Sequence, residues 1–219
     1  MIGKHWIISG VVAEAIGLKL NIGQSQFFLK RKEKVSMRKV IAAINMTIDG
    51  YADHTAVDPD EEIHQHYAEL LDSADAILYG RITFQLMKYW QTLIENPSGE
   101  KSMDDFAVAI DKVPKIVFSH SLQSTEWESA RLSAKTPEEE VLLLKQKPGK
   151  DIFVGSRSLI MQLLKTNQID ELQLCVHPVV VGTGLPLFEN INERIRLSLV
   201  RTKIFGSGAL TLYYKPDIR

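Results

Sequence analysis

Three short stretches place polar or glycine residues where an apolar run ends: Gly80-Arg81-Ile82-Thr83, Ser119-His120-Ser121 and Gly155-Ser156-Arg157-Ser158-Leu159. Main-chain N–H groups at an exposed helix start carry the positive end of the helix dipole, and an arginine beside them can bond two phosphate oxygens at once. One such turn is ordinary turn-and-cap chemistry. Three of them, each closing an apolar segment, point to a dinucleotide or phosphate held beyond the carboxyl ends of parallel strands. A fourth stretch, Asn45-Met46-Thr47-Ile48-Asp49-Gly50-Tyr51, ends the first apolar run in an Asp-Gly turn. It reads either as a plain turn or as a loop that covers the ligand and brings one carboxylate, Asp49, to it.

Other arrangements carry less. Neither glycine turn has the G-x-G-x-x-G or G-x-x-x-x-G-K-[ST] spacing. Ser98-Gly99-Glu100-Lys101-Ser102 echoes the latter, yet Glu100 separates the glycine from the lysine and no strand precedes it. His64 and His66 lie two apart in a helical stretch, where side chains point away from each other; they read as a solvated helix face, and no metal is expected. Asn45-Met46-Thr47 matches a glycosylation acceptor but falls at a strand end. The single cysteine, Cys175, cannot form an intramolecular disulfide, which fits a reducing cytoplasm, and it excludes a zinc-deaminase site built on a P-C-x-x-C pair. With 26 Lys plus Arg against 27 Asp plus Glu the formal net charge is -1. Nothing in that balance draws the chain to nucleic acid or to an anionic membrane, and neither is expected as a partner.

The elements that must position these residues alternate in type. Residues 39–46 form a continuous apolar run of strand length, as for a strand covered on both faces. Residues 59–74 carry acidic residues early and then Ile63, Tyr67, Leu70 and Leu71 at helical spacing. Strand 75–80, helices 83–93 and 102–113, and strand 115–119 follow. Thr136-Pro137 with three glutamates opens a helix that Pro148-Gly149 stops. Strand 151–156, helix 157–168, a long strand over 170–182 and two strands around Gly206-Ser207-Gly208 complete the order. The pattern predicts an α/β fold: a mixed, mainly parallel central sheet flanked by helices, with an antiparallel C-terminal hairpin. Residues 37–219 read as one domain. Residues 1–36 read as a disordered extension, or alternatively as a basic, weakly amphipathic peripheral anchor.

"INMTIDGYAD", "AILYGRITF", "KIVFSHSL", "DIFVGSRSLIMQLL" and "VHPVVVGTGLPLF", in this order, resemble the dihydrofolate-reductase-like superfamily. The branch is the one related to the reductase domain of the bifunctional riboflavin-biosynthesis deaminase/reductase, over about residues 37–215. The resemblance implies NADPH as hydride donor and a flat heterocyclic substrate, pteridine- or pyrimidine-like, stacked near the nicotinamide. It implies that Gly80, Arg81 and Thr83 hold phosphates, that Ser119 and His120 lie near the adenosine 2′-phosphate, and that residues 155–159 (Gly155, Ser156, Arg157, Ser158, Leu159) cradle the pyrophosphate. The family's second turn glycine is Ser156 here, and the missing deaminase cysteines leave the reductase half alone. On this reading Asp49, or water held by it, assists protonation, while Asn45, Gly50, Tyr51 and Trp90 lie on the substrate side. The apolar strand over 171–181 and the terminal hairpin, with the resemblance, predict a homodimer. A nucleotide-binding protein without turnover, or a dimeric scaffold, is the alternative.

Overall fold

The computed structural model of the protein describes residues 38–191 and 193–217; the predicted extension over 1–36 lies outside the described residues. The elements run β1 (Val40–Thr47), α1 (Glu61–Asp72), β2 (Ala74–Gly80), α2 (Arg81–Glu95), α3 (Lys101–Lys112), β3 (Lys115–Phe118), β4 (Ala130–Leu132), α4 (Pro137–Lys145), β5 (Asp151–Val154), α5 (Arg157–Lys165), β6 (Glu171–His177), β7 (Leu197–Ile204) and β8 (Leu210–Pro216). They build one eight-stranded sheet in the order β4-β3-β2-β5-β1-β6-β8-β7. Strands β4 to β6 in that order are parallel, and β8 pairs antiparallel with β6 and β7. This is the predicted fold class, including the terminal hairpin.

The continuous apolar run of β1 follows from burial on both faces, because successive side chains alternate sides. Ile41 and Ala43 pack with Leu70 and Leu71 of α1, Phe84 of α2 and Ile110 of α3. Val40 and Ala42 pack with Val141 of α4 and Leu159, Ile160 and Leu163 of α5. Local signals set the helix starts. Asp60 caps α1 by accepting from Ile63 N, and Thr136 and Glu139 form a reciprocal capping box at α4.

Three readings of the sequence change. The strand predicted over 170–182 stops at His177, because Pro178 has no N–H to give a ladder. The edge strand β4 was not legible, being three residues long with an exposed arginine at its centre. His66 is buried, its ring 5.6 Å from that of Phe205 and 5.4 Å from that of Tyr67, and His64 lies edge-on to Trp90 at 5.5 Å. The two histidines do point apart, but α1 is covered on both flanks, by α3 and by the residues around the hairpin, so neither belongs to a solvated face. Trp90, half-buried, makes a T-shaped contact with Phe106 of α3 at 4.5 Å.

Candidate active site

Connections leaving the sheet reverse direction between β2 and β5. The chain after β2 moves outward through α2 and α3 to β3, whereas the chain after β5 crosses the opposite face through α5 to β6. A crevice beyond the strand ends belongs at such a point. There Gly80 N donates to Ser156 Oγ at 2.9 Å, and a methyl group at Gly80 would sit 3.3 Å from Ser158 Oγ. The first turns of α2 and α5 therefore abut. Neither N-cap, Gly80 or Ser156, caps its helix with a side chain, and neither first turn contains an acid. Both helix starts thus lack a side-chain cap and an acid, the arrangement in which first-turn N–H groups can receive an anion.

Around this junction the predicted residues divide. Arg81 is exposed, held among the described residues only by Gln85 Oε1 at 3.0 Å, and Thr83 is half-buried on the same turn. Ser158 is exposed, and Gly155 approaches Tyr79 Cε1 so closely that a Cβ would lie 3.0 Å from it. Arg157 is committed elsewhere: its Nε donates to Pro186 O at 2.5 Å and its Nη2 pairs with Glu189 Oε1 at 2.5 Å. It fastens the 179–189 loop, and the two arginines do not converge. Leu159 turns its side chain into the core and offers the crevice only main chain. Ser119 Oγ accepts from Ser121 N and Leu122 N, so it shapes the turn after β3, and His120 stands exposed beside it.

The other wall is β1. Its pairing with β5 ends at Ala42↔Val154, while its pairing with β6 continues to Thr47↔His177. The edge of residues 43–47 toward β5 is open, and Ile44 and Asn45 are only half-buried in mid-sheet. Asn45 Oδ1 lies 3.2 Å from Tyr67 Oη of α1 and 3.1 Å from His177 Nε2 of β6. His177 is buried, and burial lowers its pKa, so the ring is neutral at pH 7. Sequence reasoning missed His177 because it was read as mid-strand; as the last residue of a parallel strand it stands at the ligand end.

Residues 47–52 and 179–187 are laced together above this wall. Ile48 N donates to Val179 O, Ala52 N to Leu185 O and Leu187 N to Gly50 O. Gly50 takes φ +93°, a conformation that favours glycine. Tyr51 Oη donates to Gly182 O at 3.2 Å, and its ring lies against Gly184. Asp49 accepts from Thr47 Oγ1 at 2.6 Å, Gly182 N at 2.7 Å and Val181 N at 3.1 Å. The Thr47 hydroxyl above all holds its carboxyl below the usual range; desolvation opposes it, and the N–H groups of Gly182 and Val181 add to the lowering. Asp49 is thus an ionised acceptor that clamps the covering loop. Among the described residues no three His, Cys, Asp or Glu gather as metal ligands, and no helix is long and apolar enough to cross a membrane.

Comparison with known proteins agrees with this architecture. An uncharacterized Bacillus subtilis protein, YyaP, is 32% identical over 188 residues, covering 82% of this chain and 96% of that one. The crystal structure of a putative riboflavin biosynthesis protein from Shewanella sp. PV-4 superposes with a TM-score of 0.63 at 17% identity, over 82% of this chain and 99% of that chain. Dihydrofolate reductase from Enterococcus faecalis, solved with NADP(H), superposes with a TM-score of 0.54 at 15% identity, over 82% and 97%. These structures share the fold. Residues 38–211 match the RibD C-terminal domain, and the chain belongs to that family.

Proposed function

We propose that this chain is an NADPH-dependent reductase that passes a hydride to a small, flat heterocycle of the pteridine or pyrimidine kind. The observation that carries the reading is the abutting pair of uncapped, acid-free helix starts at Gly80 and Ser156, set beside the open edge of β1. The cofactor, when bound, supplies the hydride. The N–H groups after Gly80 and Ser156, with Arg81, Thr83 and Ser158, hold its phosphates, and Ser119 and His120 meet the 2′-phosphate. Arg157 and Asp49 fix the 179–189 loop over the crevice from opposite ends, which excludes water and holds the reacting groups in register. Asn45, Gly50 and Tyr51 border the substrate. Asp49, ionised, acts as acceptor and positioning residue.

Titrations with NADPH and NADH test the reading; NADPH binds more tightly because only its 2′-phosphate uses the Ser119-His120 turn. Arg81→Ala weakens NADPH by roughly 1.5–3 kcal/mol, the range of a charge-assisted hydrogen bond. Asp49→Asn leaves NADPH affinity in place and lowers turnover about a hundredfold, through the misplaced loop. Equal affinity for the two cofactors removes the assigned role of the 2′-phosphate turn, and unchanged turnover reduces Asp49 to a turn former.

The assembly proposed is a homodimer. Leu210 and Leu212 of β8 share a sheet face with Val176 and Leu174 of β6 and, across the hairpin, with Ile204 of β7. On β7, Leu199 is 55% and Ile204 77% exposed, an apolar edge that a second copy would cover. Light scattering at micromolar concentration reads the mass, and a monomer contradicts the proposal.

A further inference from the structure

The carboxyl end of β1 holds a polarity that its neighbours fix. Tyr67 is a half-buried phenol whose pKa burial raises well above the ordinary value, so its hydroxyl keeps its proton. That proton has an acceptor, Asn45 Oδ1 at 3.2 Å. Turning the Asn45 amide over would set its NH2 against Tyr67 and leave the phenol proton without an acceptor among the described residues, which is unfavourable for a buried donor. His177 Nε2, at 3.1 Å, donates to the same oxygen and fills its second lone pair. Both acceptor positions of the amide are therefore spent inward. Its Nδ2 hydrogens have no acceptor among the described residues, and Asn45 is half-buried at the open edge of β1.

We infer that Asn45 is a specificity-determining donor, with Tyr67 and His177 as the positioning residues that hold its amide, so that the ligand presents an acceptor, a carbonyl oxygen or unprotonated ring nitrogen, to the end of β1. The inference rests on the reading of the crevice as the reductase site. It goes beyond that reading in naming the hydrogen-bond sense of the ligand edge. A heterocycle with an amino group at that position meets two donors with a donor and is rejected.

Two fragments of one shape, pyrimidin-4-one and 4-aminopyrimidine, distinguish the cases by ligand-observed NMR with NADPH present. Wild type is expected to bind the pyrimidinone about tenfold more tightly, the scale of one mismatched hydrogen bond. Asn45→Asp, nearly isosteric and acceptor-only, reverses the order. Tyr67→Phe, which frees the amide to turn, brings the ratio toward one while both fragments still bind. In 15N-labelled wild type, the Asn45 side-chain amide resonance, assigned by its loss in Asn45→Ser, shifts with the pyrimidinone; this measurement does not depend on a folded variant. Equal binding of both fragments by wild type, binding of neither, or an unchanged preference in Asn45→Asp overturns the assignment. NADPH titration of the same samples reports separately whether the cofactor reading stands.

Discussion

Ser158→Asp is expected to weaken NADPH binding about a hundredfold while leaving the thermal midpoint unchanged or slightly raised. Ser158 lies in the first turn of α5, exposed, with its Oγ 3.3 Å from where a Cβ on Gly80 would stand. An acid in a first helical turn interacts favourably with the dipole and the free N–H groups, contributing about 0.3–1 kcal/mol to stability. The same carboxylate occupies the junction where two helix starts are proposed to meet a phosphate. Like charges roughly 4 Å apart near a protein surface repel by several kcal/mol before salt screening, enough for a hundredfold loss. The two effects have opposite signs, which separates a lost anion site from a damaged fold. Fluorescence titration and a thermal melt on one sample read both. Undiminished NADPH affinity would move the phosphates away from the α2–α5 junction.

The second large effect is on acid stability. His66 is buried among Tyr67, Phe205 and Tyr213, and burial, reinforced by Lys203 and Arg201 and opposed by Glu69, pushes its pKa down to about 4. In the unfolded chain a histidine titrates near 6.5. Above that pH both states are neutral and the packing contributes in full. As pH falls below about 6.5 the unfolded chain takes up a proton that the native ring refuses, and stability drains by about 1.4 kcal/mol per pH unit until the native pKa is reached, roughly 3 kcal/mol in all. His64 and His177, both lowered by burial, act in the same direction. Urea midpoints at pH 7 and pH 4.5 should therefore fall further in wild type than in His66→Leu, by about 2 kcal/mol of stability. An equal loss in the two proteins would show that the ring is protonated in the native state.

What the sequence determined is what neighbouring residues determine among themselves. The apolar run of β1, the helical spacing in α1, the Thr136–Glu139 capping box and the glycines at strand ends each act over a few residues, and each predicted element built from them is present. Glycine and serine at the ends of β2 and β5 were enough to place the two turns at one sheet end, because parallel strands point the same way. What those residues do there depended on contacts far along the chain. Arg157 looks like Arg81 in sequence, yet the loop 29 residues later takes its guanidinium, while Arg81 bonds to Gln85 of its own helix. Asp49 looked like an acid for catalysis, and the N–H groups of Val181 and Gly182, more than 130 residues away, make it a clamp. The T-shaped contact of Trp90 with Phe106 of α3 likewise joins residues that no local pattern links. His177 and Asn45 stand 132 positions apart and meet only because β1 and β6 pair in register up to Thr47↔His177. A side chain's type sets which bonds it can make; which of them it makes is decided by the groups that tertiary packing brings within about 3 Å, and no local pattern encodes those.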